Sequence, residues 1–368
     1  MIMSLTSPAL ASTPAAPVSA GPPVLLGRFR ELVEPELRAA VAALHPELAR
    51  MGAFTFGWCE ADGTPSDGRG GKMLRSVLAL LSAELAGAPA EEALPGAVGV
   101  ELLHAFSLIH DDIMDADEQR RHRPTLWKTY GTGPAILAGD ALFALAIRAV
   151  AQSGRTHAGE AMRLLTQATV DLCQGQAQDL AFERRPWTGP GRVTVAEYRA
   201  MAAGKTGALI SCALGIGAVL TGSTPGAVRT LLKTGHRLGL AFQIVDDVLS
   251  GTGDPQTTGK PILNDLRARK KTYPVLAALS TPGPAGAQLR TVLAANDDLT
   301  DENLADLSGE DLARIGGLVA EAGGYQQATR EARRRIEHGL AALTRARFDG
   351  AAVEELSTLA AFLLDRST

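Results

Sequence analysis

The 368-residue chain is short of cysteine, aromatic residues and net charge, and each shortage removes a class of protein. Its three cysteines, Cys59, Cys173 and Cys212, have no paired spacing. Neither a disulfide framework nor a zinc cluster is expected, all three read as small core fillers, and a reducing, cytoplasmic setting fits. Aromatics are 4% of the chain. Alanine and leucine are abundant instead, which favours helix over sheet. Lys and Arg number 36 against 40 Asp and Glu, a formal charge of -4. That balance gives no bulk attraction to nucleic acid or to an anionic membrane. No run of about 18 apolar residues escapes a charge or a glycine, so no transmembrane segment is expected. Residues 1–24 carry no charged side chain and hold prolines at 8, 14, 17, 22 and 23. Prolines at that density stop a helix, and little here can be buried, so a disordered arm is expected. With neither a basic start nor an unbroken apolar core, it is not a secretory signal.

From Leu25 onward the chain has a different texture. Hydrophobic residues make up 46% overall, enough for a sizeable core. Leu32, Val33, Leu37, Val41, Leu44 and Leu48 recur at helical spacing and predict one helix over about 27–52. Further helical runs are expected near 72–87, 91–115, 135–153, 158–182, 205–221, 225–250, 325–346 and 350–365, with shorter ones near 194–202 and 310–322. Gly and Pro mark the breaks, no alternating strand pattern stands out, and no repeat of solenoid period occurs. The runs 135–151 and 208–220 are apolar nearly all round, as in helices inside a bundle. Residues 25–368 therefore read as one all-α domain, a helical bundle.

Two acidic clusters close apolar helices. In Leu102 to Asp115 the carboxylates Asp111 and Asp115 stand four apart on one face, with Asp112 about 100° away. Like charges at this spacing repel, and negative charge at a helix C-terminus opposes the macrodipole. A divalent cation relieves both, and an all-oxygen ligand set favours Mg²⁺ shared with substrate phosphates. Phe242-Gln243-Ile244-Val245-Asp246-Asp247 repeats the pattern after a second apolar run. Facing each other, the two clusters would form a cage for a diphosphate. Basic partners are present in Gly70-Gly71-Lys72-Met73-Leu74-Arg75, Arg120-Arg121, Gly204-Lys205-Thr206-Gly207 and Gly259-Lys260-Pro261. Glycines let backbone approach a phosphate, and a helix start favours an anion.

In this order the motifs resemble the trans-isoprenyl diphosphate synthases, the polyprenyl synthetase family. Asp111-Asp112-Ile113-Met114-Asp115 matches its first aspartate motif, Gly70 to Arg75 its GGKxLR motif, and Lys205-Thr206 its lysine–threonine motif. Phe242 to Asp247, then Gly259-Lys260-Pro261 and Asn264-Asp265-Leu266-Arg267, match the second aspartate region. The resemblance runs from about 27 to 365. It implies an isoprenoid synthase bundle with a central cavity, and a prenyltransferase that condenses isopentenyl diphosphate with an allylic diphosphate. Mg²⁺, three ions with diphosphate bound, would be held by Asp111, Asp115 and Asp246, with Asp112 and Asp247 in the catalytic motifs. Arg120, Lys205 and Lys260 would add charge to the allylic diphosphate, with Thr206 and Gln243 nearby. Lys72, Arg75, His104 and Arg121 would hold isopentenyl diphosphate. A homodimer is implied as well.

One departure stands out. The second motif ends on Ser250 where the family has aspartate, and with Asp254 it resembles the metal triad of class I terpene cyclases. Cyclisation of a prenyl diphosphate is thus the alternative activity, and a non-catalytic subunit of a heteromeric synthase is a second alternative. The retained Lys72, Arg75 and Arg121, for which a cyclase has no use, favour elongation. The growing chain would run down the helix of Asp111, where Ser107 and Phe106, four and five residues earlier, act as a floor in this family. Serine leaves room and phenylalanine partly closes it. That pairing resembles synthases of C20 geranylgeranyl diphosphate, with C15 farnesyl diphosphate next. Gly27-Arg28-Phe29-Arg30, Phe56-Gly57-Trp58 and Arg267 to Lys271 resemble a bacterial subgroup with members packaged as cargo in encapsulin shells, and the arm 1–24 is a candidate loading segment for such a nanocompartment.

Overall fold

The computed structural model describes residues 22–66, 71–253, 263–295 and 308–364. About three quarters of them fall in helices. Helix α1 (Pro22–Ala42) starts on two prolines, whose missing N–H groups are orphans at a helix start in any case. It includes residues 22–24, which the sequence reading assigned to the arm; residues 1–21 lie outside the described residues. Leu25, Phe29, Val33, Leu37 and Val41, at steps of four, form its buried stripe. The single helix expected over 27–52 is in fact two. Pro46 cannot continue α1, and it instead begins α2 (Pro46–Thr55), with the His45 side chain accepting from Glu47 N.

Helix α3 (Leu74–Leu85) and a short 3₁₀ turn (Ala90–Ala93) lead into α4 (Leu94–Met114). A two-residue hairpin follows, β1 (Gln119–Arg120) antiparallel to β2 (Arg123–Pro124). Both turn residues, Arg121 and His122, have positive φ, 52° and 62°. This hairpin escapes sequence reading because two-residue strands carry no period. Next come α5 (Leu126–Tyr130), α6 (Thr132–Ala151), α7 (Ala158–Glu183) and α8 (Val195–Ala202). A π-type turn (Ala203–Gly207) joins α8 to α9 (Ala208–Leu220), and α10 (Pro225–Thr252) follows. Helices α11 (Asn264–Arg267) and α12 (Tyr273–Leu279) are too short or too uniformly buried to stand out in sequence, and α13 (Pro284–Ala294), with Gly286, Leu289 and Leu293 buried, lies where no helix was expected. The chain closes with α14 (Gly309–Glu321), α15 (Gly324–Arg345) and α16 (Gly350–Leu364).

Helix α9 is buried almost all round and packs on α3, α4, α7 and α10. Around this central rod α4 packs on α6, and α10 on α15. Two expectations need correction. Cys59 and Cys212 are buried fillers, but Cys173 is exposed. Three stretches, Ala90–Met114, Thr132–Ala151 and Val195–Leu220, are long and apolar enough to cross a membrane by length and composition. The scattered glycines and few charges do not dilute them below that threshold. Their most apolar windows are 61%, 39% and 72% buried inside the bundle, so two of them spend most of that surface on other helices.

Candidate active site

Both acidic clusters open into one cavity of about 640 Å³. Asp111 and Asp115 reach it from the end of α4, and Asp246 and Asp247 from α10. Arg75, His104, Phe106, Ser107, Arg120, Arg121, Lys205, Thr206 and Gln243 also line it. Three predicted residues stand apart. Asp112 lines an adjoining crevice of about 140 Å³ with Gly71, Arg120 and Arg121. Lys72 lies outside the cavity lining, exposed, its Nζ 4.4 Å from the centre of the Phe362 ring. Lys260 lies outside the described residues.

Within each pair the neighbours point about 100° apart, and they have different surroundings. Asp112 is 5% and Asp247 6% exposed. Asp112 Oδ1 accepts from Arg120 Nε at 2.7 Å and pairs with Nη2 at 2.6 Å. Asp247 accepts from Tyr198 Oη at 2.6 Å, from Tyr273 N at 2.8 Å and from Gln243 Nε2 at 3.0 Å. Burial still dominates both. It pushes Asp112 up to about 6 despite Arg120, and Asp247 up to about 7 despite three donors. Thr206 Oγ1 donates to Gln243 Oε1 at 2.5 Å, which ties the π-turn to α10.

The cavity-facing carboxylates are met by cations from distant segments. Lys205 Nζ lies 2.6 Å from Asp179 Oδ2 and 3.4 Å from Asp111 Oδ1. Lys270 Nζ pairs with Asp115 Oδ2, and Arg120 Nη2 is 3.7 Å from Asp111 Oδ2. Burial works against charge on Asp111, but Lys205, Lys270 and Arg120 outweigh it and hold the carboxyl below its ordinary value. For Asp115 burial prevails over Lys270 and the carboxyl is raised. Burial also works against the Lys205 ammonium, but Asp111 and Asp179 overcome it and its pKa is raised.

Lys205 can reach so far because of backbone contact. A Cβ at Gly175 of α7 would fall on the backbone of Gly204 and Lys205, so only glycine lets α7 touch the π-turn. Such turns re-aim side chains within a helix and recur at functional sites. On the other flank a Cβ at Gly71 would meet the Arg121 guanidinium, which brings the GGKxLR segment against the hairpin. Arg75 Nη1 lies 2.9 Å from His104 Nε2. Burial lowers Arg75 to about 10, and burial together with Arg75, Arg121 and Arg120 holds His104 well below 6.5, hence neutral. Neutral imidazole accepts from Arg75 and leaves the cation's other N–H groups for an anion. At the apolar end Phe106 packs on His110 at 4.7 Å and Phe143 at 5.3 Å between ring centres.

Sequence reading gave no role to Asp179, Tyr198 or Lys270. The Gln176/Asp179 pair, three apart on a helix face that is otherwise apolar, was the available signal for α7. Tyr198 and Lys270 gave none, because their roles depend on approach across the bundle.

Among the described residues no three His, Cys, Asp or Glu side chains form a ready metal cluster. The donor set nonetheless fits Mg²⁺. That ion is ordinarily held by one or two carboxylates plus substrate phosphates, not by an all-protein cage. Asp111 Oδ1 is buried without a hydrogen bond, its lone pairs directed only at the Lys205 ion pair.

Comparison with known proteins agrees with this geometry. Residues 66–308 match the polyprenyl synthetase family model. The chain is 40% identical over 342 residues to a (2E,6E)-farnesyl diphosphate synthase of Mycobacterium tuberculosis, covering 93% of this chain and 92% of that one. It is 41% identical over 322 residues to a geranylgeranyl diphosphate synthase of the same organism, covering 87% and 88%. A crystal structure of a polyprenyl synthetase from Streptomyces coelicolor A3(2) superposes with a TM-score of 0.84 at 47% identity, covering 93% of this chain and 99% of that one. With its two aspartate motifs in one cavity and matches across nearly its whole length, the chain belongs to the polyprenyl synthetase family.

Proposed function

We propose that the protein is a short-chain trans-prenyl diphosphate synthase, which joins isopentenyl diphosphate to an allylic diphosphate and makes the C20 or C15 product. The observation that carries this reading is the single cavity lined by Asp111, Asp115 and Asp246 together with Arg75, Arg121 and Lys205. Bound Mg²⁺, held by Asp111, Asp115 and Asp246, would supply Lewis-acid charge to the allylic diphosphate. Lys205, Lys270 and Arg120 add fixed positive charge where negative charge develops as the allylic C–O bond breaks. Arg75 and Arg121, with His104 behind Arg75, hold the second diphosphate so that its double bond faces the allylic carbon. The new C–C bond forms there, and the proton that is lost passes to the departed diphosphate. Apolar walls keep water from the cation. Phe106, backed by Phe143 and His110, blocks the tail and sets product length.

A homodimer fits the exposed apolar side chains of α6 and α7, where Ile136 is 42%, Leu137 58% and Val170 50% exposed. Loading into an encapsulin shell through residues 1–24 is the remaining expectation; co-expression with a shell, with and without the arm, tests it, and full loading without the arm rejects it. The activity itself is tested with purified protein, Mg²⁺, labelled isopentenyl diphosphate and each allylic primer. Longer diphosphates are expected. Hydrocarbon or alcohol products would mark a cyclase, and no turnover with any primer would mark a silent subunit.

A further inference from the structure

From the end of α11 to the first residue of α12 the chain forms a short strap, Arg269-Lys270-Lys271-Thr272-Tyr273. It touches both acidic helices: Lys270 pairs with Asp115 at the end of α4, and Tyr273 N donates to Asp247 Oδ2 on α10 at 2.8 Å. Local bonds hold it tightly. Lys270 N donates to Asp265 O at 2.8 Å, and Arg269 Nε donates to Glu183 O, at the end of α7, at 3.3 Å. Arg269 takes φ 55°, a conformation that non-glycine residues adopt only when their surroundings impose it.

Lys271 is the unusual member. Its side chain is 2% exposed, in a wall of the cavity. Its Nζ sits 3.8 Å from the centre of the Trp187 ring and donates to Arg269 O at 3.1 Å. Trp187 is 3% exposed and comes from the connection after α7. Burying an ammonium group is costly, and a methionine of similar volume would avoid the cost. The desolvated indole face returns part of it, and in doing so fixes where the strap lies.

We propose that Lys271, seated on Trp187, is a positioning residue for the prenyl transfer. It holds the strap so that Lys270 and the Tyr273 amide reach the two aspartate motifs at the same time. Lys271 itself serves the indole and the strap; Lys270 serves the diphosphate. The inference rests on the reading of Asp115 and Asp246 as the metal–diphosphate site.

The test compares Lys271→Met, Lys271→Arg, Trp187→Phe, Trp187→Leu and the Lys271→Met/Trp187→Leu double variant. Steady-state kinetics are measured with both substrates, and calorimetry follows binding of inorganic pyrophosphate with Mn²⁺ to the resting protein. Lys271→Met and Trp187→Leu should each lower kcat and weaken pyrophosphate binding by about ten- to thirty-fold, as loss of a desolvated cation–π contact implies. KM for isopentenyl diphosphate should not move. Lys271→Arg and Trp187→Phe keep a cation over an aromatic face and should stay within about threefold of the parent. The double variant should match either single one, since both break one contact. Multiplying losses, with Lys271→Met far worse than Trp187→Leu, would mean that Lys271 binds diphosphate directly and would overturn the proposal. So would a fall in melting temperature with all kinetic constants unchanged. Asp115→Asn separates the two levels. If it too leaves activity and binding intact, the metal-site reading fails; if it alone abolishes them, only the strap inference fails.

Discussion

Asp247 offers a quantitative test of how the second acidic helix is built. Its carboxyl is pushed from an ordinary 3.8 up to about 7, because burial outweighs the donors Tyr198, Tyr273 N and Gln243. A shift of that size corresponds to about 4 kcal/mol. The sign follows from proton counting. The folded protein holds this proton to a higher pH than the unfolded chain, so the stability contribution is complete below the unfolded value and is lost as pH rises through about 7. Between pH 5 and 7.5 the loss comes to about 2–3 kcal/mol, or a fall in melting temperature of a few degrees for a chain this long. Asp247→Asn keeps a carbonyl oxygen for Tyr198 and Tyr273 N but cannot ionise. The measurement is calorimetric melting of the metal-free protein and the Asn variant across that range. Other titrating groups cancel in the difference between the two, which should widen with pH in favour of the variant. A difference constant to within about 1 °C would refute the reasoning, because the cost of burying this charge would then be absent.

Three further outcomes are expected. Phe106→Ala, by removing the ring that packs on Phe143 and His110, should lengthen the product in a labelled-isopentenyl assay; unchanged length would remove Phe106 from the ruler. Gly175→Ala puts a methyl group into the Lys205 backbone, so kcat should fall by about a hundredfold as Lys205 is displaced, read at a temperature where circular dichroism shows the variant folded. His122→Gly relieves a φ of 62° in the hairpin turn and should raise stability to denaturant by about 0.5–1 kcal/mol.

What the sequence disclosed and what it withheld divide by range. Helical period and proline placement are local, so α3, α4 and α6 to α10 were legible to within a few residues, whereas the five-residue α5 was not, and the acidic pairs could be put at helix ends. Pro46 was equally visible, but the apolar period continued across it and hid the break between α1 and α2. The motif residues were legible as chemistry, not as geometry. Asp111 and Asp112 are neighbours in the chain, yet one faces the cavity and the other turns to Arg120 in a separate crevice. Lys270 lies 155 residues from Asp115. Nothing in the pattern around either residue encodes that meeting, which is set by how α10 and the strap return past α4.

That long-range pairing changes what metal binding must involve. Asp111 faces Lys205, Asp115 faces Lys270, and Asp112 is held by Arg120. The free protein has therefore already neutralised the carboxylates of its first motif with its own cations. A divalent ion alone would have to part Lys270 from Asp115 and leave Lys205 with Asp179 as its remaining carboxylate, an expensive exchange for half-buried ammonium groups. An ion arriving with a diphosphate would bring the oxygens those ammonium groups need, so the carboxylates could turn to the metal and the lysines to the phosphate with little charge left unpaired. Asp247, although it borders the cavity, is already held by Tyr198, Gln243 and the Tyr273 amide, which would leave Asp111, Asp115 and Asp246 for the metal.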